Sequence, residues 1–149
     1  MWDIVSGECC YRLTGFHSMV AAYSFLPSGT SFLSCGGDPF VKLWDTATGN
    51  CLRTLLTGGG LVSMAIVSRD GEGIVTTTFN GKVMLWRDGQ CAWSADHDMS
   101  VVSAAFLSDD SKVAVGDASS IRLLDAENGE VLRALDHNDG PAMHLKSKP

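Results

Sequence analysis

Five cysteines (Cys9, Cys10, Cys35, Cys51 and Cys91) and four histidines are the side chains in this chain best suited to chemistry. Thiolates and imidazoles could ligate zinc, pair as disulfides, or work as nucleophile and base. Their spacing points elsewhere. The chain has no C-x-x-C pair. Three cysteines stand two residues after a glycine, in Gly7-Glu8-Cys9, Gly49-Asn50-Cys51 and Gly89-Gln90-Cys91, and Gly129-Glu130-Val131 puts valine in the same place. A position where cysteine exchanges with valine is expected to hold a small buried hydrophobe. His17 stands 27 residues before Trp44, and His97 stands 27 before Leu124, a regularity that assigns both a structural role.

Other chemical motifs are absent or weak. Gly58-Gly59-Gly60 lacks the Lys-Ser or Lys-Thr that would make it a phosphate loop. There is no G-x-S-x-G elbow. Asp109-Asp110 lies in a turn signal, where aspartate sets the backbone rather than acting as half of an acid–base pair. No catalytic, cofactor-binding or metal-ligating residue is assigned, and no cofactor is expected.

What positions these residues is a repeat. Val41-Lys42-Leu43-Trp44-Asp45 alternates apolar and polar residues and runs into a turn closed by Gly49. Trp2-Asp3, Val83-Met84-Leu85-Trp86-Arg87 and Ile121-Arg122-Leu123-Leu124-Asp125 echo it, and the closing glycines Gly7, Gly49, Gly89 and Gly129 keep a beat of 40 to 42 residues. A period near 40 marks a repeat architecture.

Within each period the sequence predicts four strands. In the first full copy they are Val20 to Leu26, Ser31 to Cys35, Phe40 to Asp45 and Cys51 to Leu56. In the second they are Leu61 to Val67, Ile74 to Phe79, Lys82 to Arg87 and Gln90 to Ser94. In the third they are Val101 to Leu107, Lys112 to Val115, Ser120 to Asp125 and Glu130 to Leu135. An outer strand Cys9 to Leu13 precedes them, and Ala142 to Leu145 follows. Asn80-Gly81 reads as a two-residue hairpin turn with both residues at positive φ. No stretch holds a 3.6-residue period with caps, so the class is all-β.

Composition sets the bounds. Hydrophobic residues make up 45% of the 149 and charged residues 19%, enough to bury a core and unlike a disordered chain. The net charge of −6 argues against a nucleic-acid surface. No apolar run reaches membrane-spanning length. Met1 to Val5 lacks the basic start and long apolar stretch of a signal peptide, so the expected location is intracellular, in the first place cytoplasmic, with the nucleus left open.

Together these residues resemble the WD40 repeats that form the blades of β-propellers, from Trp2 to about Gly140. In that family a blade often carries a buried set of His, Ser or Thr, Asp and Trp. The resemblance assigns His17, Ser34, Asp38 and Trp44 to this set in the first copy, Thr76, Asn80 and Trp86 in the second, and His97 in the third. The third copy has Val115 and Leu124 where the hydroxyl and Trp would fall, with Asp117 one residue out of register, so packing alone is expected to hold it. The domain is expected to comprise the end of a blade at 1–16, full blades at about 17–57, 58–95 and 96–136, and the start of another at 137–149.

Closed propellers hold 4–8 blades. Three complete blades would make an incomplete propeller, an open arc of about three to four blades, with about 300 Å² of sheet bare at each end. The remainder is expected either from self-association or from a longer chain. The resemblance implies an interaction scaffold for protein or peptide partners, with no chemistry of its own. Its candidate contacts are Met19, Phe79 and Met99, with Asp98 at the edge. The alternatives are the sensor or regulatory part of a larger multidomain protein, or a propeller-fold enzyme.

Overall fold

The computed structural model describes residues 1–15 and 18–136. Twelve strands among them form three four-stranded antiparallel sheets. The first sheet is β1 (Val20–Phe25), β2 (Ser31–Gly36), β3 (Phe40–Asp45) and β4 (Cys51–Leu56). The second is β5 (Val62–Val67), β6 (Gly73–Thr78), β7 (Lys82–Arg87) and β8 (Gln90–Asp96). The third is β9 (Ser103–Phe106), β10 (Lys112–Gly116), β11 (Ser120–Asp125) and β12 (Val131–Asp136). Each sheet runs in chain order, so every strand pairs with its sequence neighbour. The class is all-β and the array is an open, unclosed arc of three blades.

The sheets stack face to face. β5 packs on β1 and β2, and β9 packs on β5 and β6. One core lies between the first two sheets, where Leu33, Val41 and Leu55 meet Val62, Met84 and Trp86. A second lies between the last two, where Val75, Leu85 and Trp93 meet Val101, Val113 and Leu124. The middle sheet is therefore covered on both faces. That is why Val83-Met84-Leu85-Trp86 is apolar at every position and buried throughout. A register shift recurs at one place in each sheet, beside Trp44, Trp86 and Leu124. Such bulges bend the strand and add twist.

Residues 1–15 hold no strand but repeat one bridge and one turn of the blades. Trp2 bridges Cys9 as Trp44 pairs with Cys51 and Trp86 with Cys91. The Gly7 N–H donates to the Asp3 carbonyl at 2.9 Å, as Gly49 does to Asp45 and Gly129 to Asp125.

A second recurrence locks neighbouring sheets together. Four residues after each closing glycine, a side chain of the outer strand reaches across to the closing glycine of the following blade. The Tyr11 ring lies 2.6 Å from where a Cβ on Gly49 would sit, the Trp93 ring lies 2.7 Å from that of Gly129, and Arg53 Nη1 crowds that of Gly89 in the same way. The two aromatic rings also donate to matching carbonyls, Tyr11 Oη to Thr46 at 2.7 Å and Trp93 Nε1 to Ala126 at 3.1 Å. Only glycine leaves room for this approach.

Three expectations are corrected. Cys51 and Cys91 are exposed and Cys9 is only partly covered, so the repeated cysteine is not a buried hydrophobe. It lies on the outermost strand, where its Sγ–H turns back onto the carbonyl two residues on: Tyr11 at 3.6 Å, Arg53 at 3.5 Å and Trp93 at 3.2 Å. Val131, in the same place, is exposed too, and of the five cysteines Cys35 is the buried one. Cys9 to Leu13 is not a strand, because it has a single bridge and no partner to extend the ladder. Asn80-Gly81 is not a two-residue turn. Thr78 Oγ1 bonds Asn80 Oδ1 and accepts from the Lys82 N–H, which makes a three-residue loop with Gly81 alone at positive φ. The two-residue turn is Asp88-Gly89, at φ 52° and 78° between Arg87 and Gln90.

Candidate interaction face

The loops at one end of the stack precede β1, β5 and β9 and connect β2 to β3, β6 to β7 and β10 to β11. The hydrogen-bonding residues picked out from the sequence lie just beneath them. In the first sheet the buried Trp44 indole donates to Ser34 Oγ at 2.8 Å. Asp38 Oδ1 accepts from the Phe40 N–H at 3.1 Å and so holds the β2–β3 turn. His17 lies outside the described residues. In the second sheet Trp86 Nε1 donates to Thr76 Oγ1 at 3.0 Å, while Asn80 bonds Thr78 within its own turn. A buried indole N–H needs an acceptor, and the hydroxyl ten residues earlier supplies it in both sheets.

The third sheet is built differently. Valine and leucine replace the hydroxyl and indole, yet the site is not purely apolar. Asp117 is buried, and its Oδ1 accepts from the Ser119 and Ser120 N–H groups, both at 2.7 Å. Burial works to raise its pKa, but these bonds outweigh burial and hold the carboxyl below its usual range. Arg122 Nη1 donates to His97 Nδ1 at 3.0 Å, and Arg122 Nη2 lies 3.6 Å from Asp98 Oδ2. Because the guanidinium can only donate, the imidazole carries its proton on Nε2, which is buried and has no partner among the described residues. Burial first, and then the Arg122 charge, lower the His97 pKa.

Met19, Phe79 and Met99 stand exposed at this same end. The Phe79 and Met99 loops touch: Ser100 Oγ donates to the Phe79 carbonyl, and the Met99 carbonyl lies 2.9 Å from where a Cβ on Gly81 would sit. Asp98, in the same loop, is almost fully exposed and faces Arg122. At the opposite end a cleft of about 440 Å³ opens among the ends of β1, β5 and β9, walled by Phe25, Pro27, Ile66 and Leu107 with Arg69 beside it. Among the described residues, no three His, Cys, Asp or Glu side chains group as a metal site would require. No described helix is long and apolar enough to cross a membrane.

Comparison with known proteins agrees with this geometry. The family described as "WD domain, G-beta repeat" (WD40) matches residues 7–45. That segment holds the Trp44–Ser34 pair and the Tyr11 side of the first junction. Residues 7–45 are thus similar to one WD40 repeat.

The curated proteins that it is similar to are much longer. Over 87% of this chain, it is 28% identical to the WD repeat-containing protein 26 homolog of Arabidopsis thaliana, covering 22% of that protein. It is 26% identical over its whole length to protein tipD of Dictyostelium discoideum, covering 25% of it. Across 35% of the chain it is 38% identical to pre-mRNA-processing factor 17 of Mus musculus, covering 9% of it. The chain thus spans a quarter or less of the length of these relatives.

Two features of these blades were not visible in the sequence. Arg122 sits on β11 opposite Val115, where Lys42 sits opposite Ser34 on β3, and each reaches the loop that enters its own blade: Lys42 Nζ donates to the Gly15 carbonyl. The row Tyr11, Arg53 and Trp93 was visible only as a fixed offset of four from the closing glycines, with no shared residue type to draw notice.

Proposed function

We propose that this chain serves in a protein-interaction scaffold, with the loops that carry Met19, Phe79, Asp98 and Met99 as its contact face and no chemistry of its own. The observation that carries the reading is the exposure of three large apolar side chains at one end of a rigid stack, directly above the buried indole–hydroxyl pairs. Methionine and phenylalanine adapt to varied partners and are common at interface cores. Sheets locked to one another hold their loops in fixed relation, which limits the entropy lost on binding. The WD40 match at residues 7–45 supports a scaffold in general terms. A relative named for pre-mRNA processing supports an intracellular setting, in the cytoplasm or nucleus, and protein rather than nucleic-acid partners remain our reading for an acidic chain.

The test compares two triple variants of the immobilised chain. One carries Met19→Asp, Phe79→Asp and Met99→Asp; the other carries Phe25→Asp, Ile66→Asp and Leu107→Asp in the opposite cleft. Proteins retained by the native chain should be lost with the first and kept with the second, at matching circular dichroism. Identical binding by native chain and loop variant would sink the reading.

A further inference from the structure

Three loops at one end of the middle blade carry large apolar side chains on backbone that is tied together. Leu61 and Phe79 stand opposite each other, one step beyond the Val62–Thr78 pair, and the Phe79 N–H donates to the Leu61 carbonyl at 3.0 Å. Opposed residues of an antiparallel pair project from the same face. The loop that holds Met99 is bonded to the Phe79 loop at two points. Ser100 Oγ donates to the Phe79 carbonyl, and the His97 N–H donates to that of Gly81 at 2.8 Å. Leu61, Phe79 and Met99 are each about half exposed. The β4–β5 loop leaves Leu61 open, because a Cβ on Gly58 or Gly59 would meet nothing within 4 Å.

The charge around these side chains has one sign at the surface. The loops 37–39, 57–61, 79–81, 97–102 and 117–119 hold Asp38, Asp98 and Asp117 and no lysine or arginine, and Asp96 ends β8 beside them. The side chains of Asp96 and Asp98 are 82% and 94% exposed. The cations they face, Lys82 and Arg122, are 32% and 24% exposed and lie 3.9 and 3.6 Å away. The carboxylates are therefore the outer members of both pairs. Pairs this long and this exposed hold little energy, so each carboxylate can take a second cation.

We infer that this patch takes a segment of a partner protein in which a large apolar side chain stands next to arginine or lysine. The inference rests on the contact face proposed above and states what that face selects. The apolar side chain seats on Leu61, Phe79 and Met99, and the cation meets Asp98 or Asp96 at the rim. Arginine fits best, because its guanidinium bonds a carboxylate through two parallel N–H groups. An acidic or phosphorylated segment is disfavoured, since it brings like charge to the rim. The patch is also held in shape. Thr57 Oγ1 donates to the Pro39 carbonyl at 2.9 Å and the Val62 N–H to that of Asp38 at 3.3 Å, which fixes the β4–β5 loop to the β2–β3 turn. Fixed loops lose little freedom on binding. The site stands on the middle blade, with a described blade packed on either side of it, so it does not depend on what lies beyond the two end sheets.

Panning a random peptide library against the full chain tests it. The recovered peptides should be enriched in arginine or lysine next to leucine, phenylalanine, isoleucine or methionine. The strongest of them, labelled with fluorescein, then serves as the probe for anisotropy titrations. The double variant Asp96→Lys/Asp98→Lys should bind it about tenfold more weakly at low salt. The same peptide with glutamate in place of its basic residues should bind D96K/D98K more tightly than it binds the native chain, which a misfolded variant would not do. Phe79→Ser should weaken both pairings. Recovered peptides without basic residues, or equal affinity of the probe for native chain and D96K/D98K, overturn the inference; the contact face itself survives if the Met19, Phe79 and Met99 triple variant still loses those peptides. Probe binding unchanged in that triple variant removes the contact face and the inference together. Panning that recovers no peptide overturns the inference as well.

Discussion

At the scale of single residues, the buried polar groups beneath the loops set the pH response. His97 is held neutral by burial and by Arg122, while Asp117, Asp98 and Asp96 face it with the opposite influence. Its folded pKa lies below the unfolded value of 6.5. The unfolded chain therefore binds more protons as pH falls, and the stability His97 contributes is present above pH 6.5 and lost as pH drops through that value toward the folded pKa. The urea midpoint should fall between pH 7.5 and 5.5, and His97→Gln should start lower but lose less over the same interval. An unchanged slope in H97Q would show that other groups carry the response. Protonation also opposes Arg122 directly, because an imidazolium cannot accept its hydrogen bond.

At the scale of elements, the closing glycines do two tasks that a pair of substitutions separates. Gly29 and Gly129 are both left-handed, at φ 69° and 78°. A Cβ on Gly29 would meet open space, whereas one on Gly129 would sit 2.7 Å from the Trp93 ring. Gly29→Ala should therefore cost only backbone strain, about 1 kcal/mol. Gly129→Ala should add the displaced ring and its bond to the Ala126 carbonyl, about 1–3 kcal/mol further. Equal losses in chemical denaturation would mean that the ring moves aside freely.

The glycines also mark how far the sequence could be read. Their period placed twelve strands to within a few residues, because turn chemistry and strand alternation are local. The indole–hydroxyl pairs were legible for a similar reason, since a fixed spacing of ten along a hairpin brings two positions together. The Tyr11–Arg53–Trp93 row was not, because its contacts reach the next blade and its side chains share no chemistry. The cysteines misled because exchange with valine looks the same on an exposed edge strand as in a core. Arg122 was hidden by the one-residue shift at Asp117, which removed the motif that would have drawn attention to its loop.

For the whole molecule, stability is close to a sum of blades and junctions, since among the described residues each sheet packs chiefly on its neighbours. The same substitution at equivalent positions therefore reads out whether a junction exists. Leu55→Ala empties a filled junction between two sheets and should cost about 2–5 kcal/mol. Leu135→Ala removes a side chain that is half exposed and should cost under about 1 kcal/mol in dilute solution. Equal costs for the two substitutions in dilute solution would show that the end blade is already covered from within the chain.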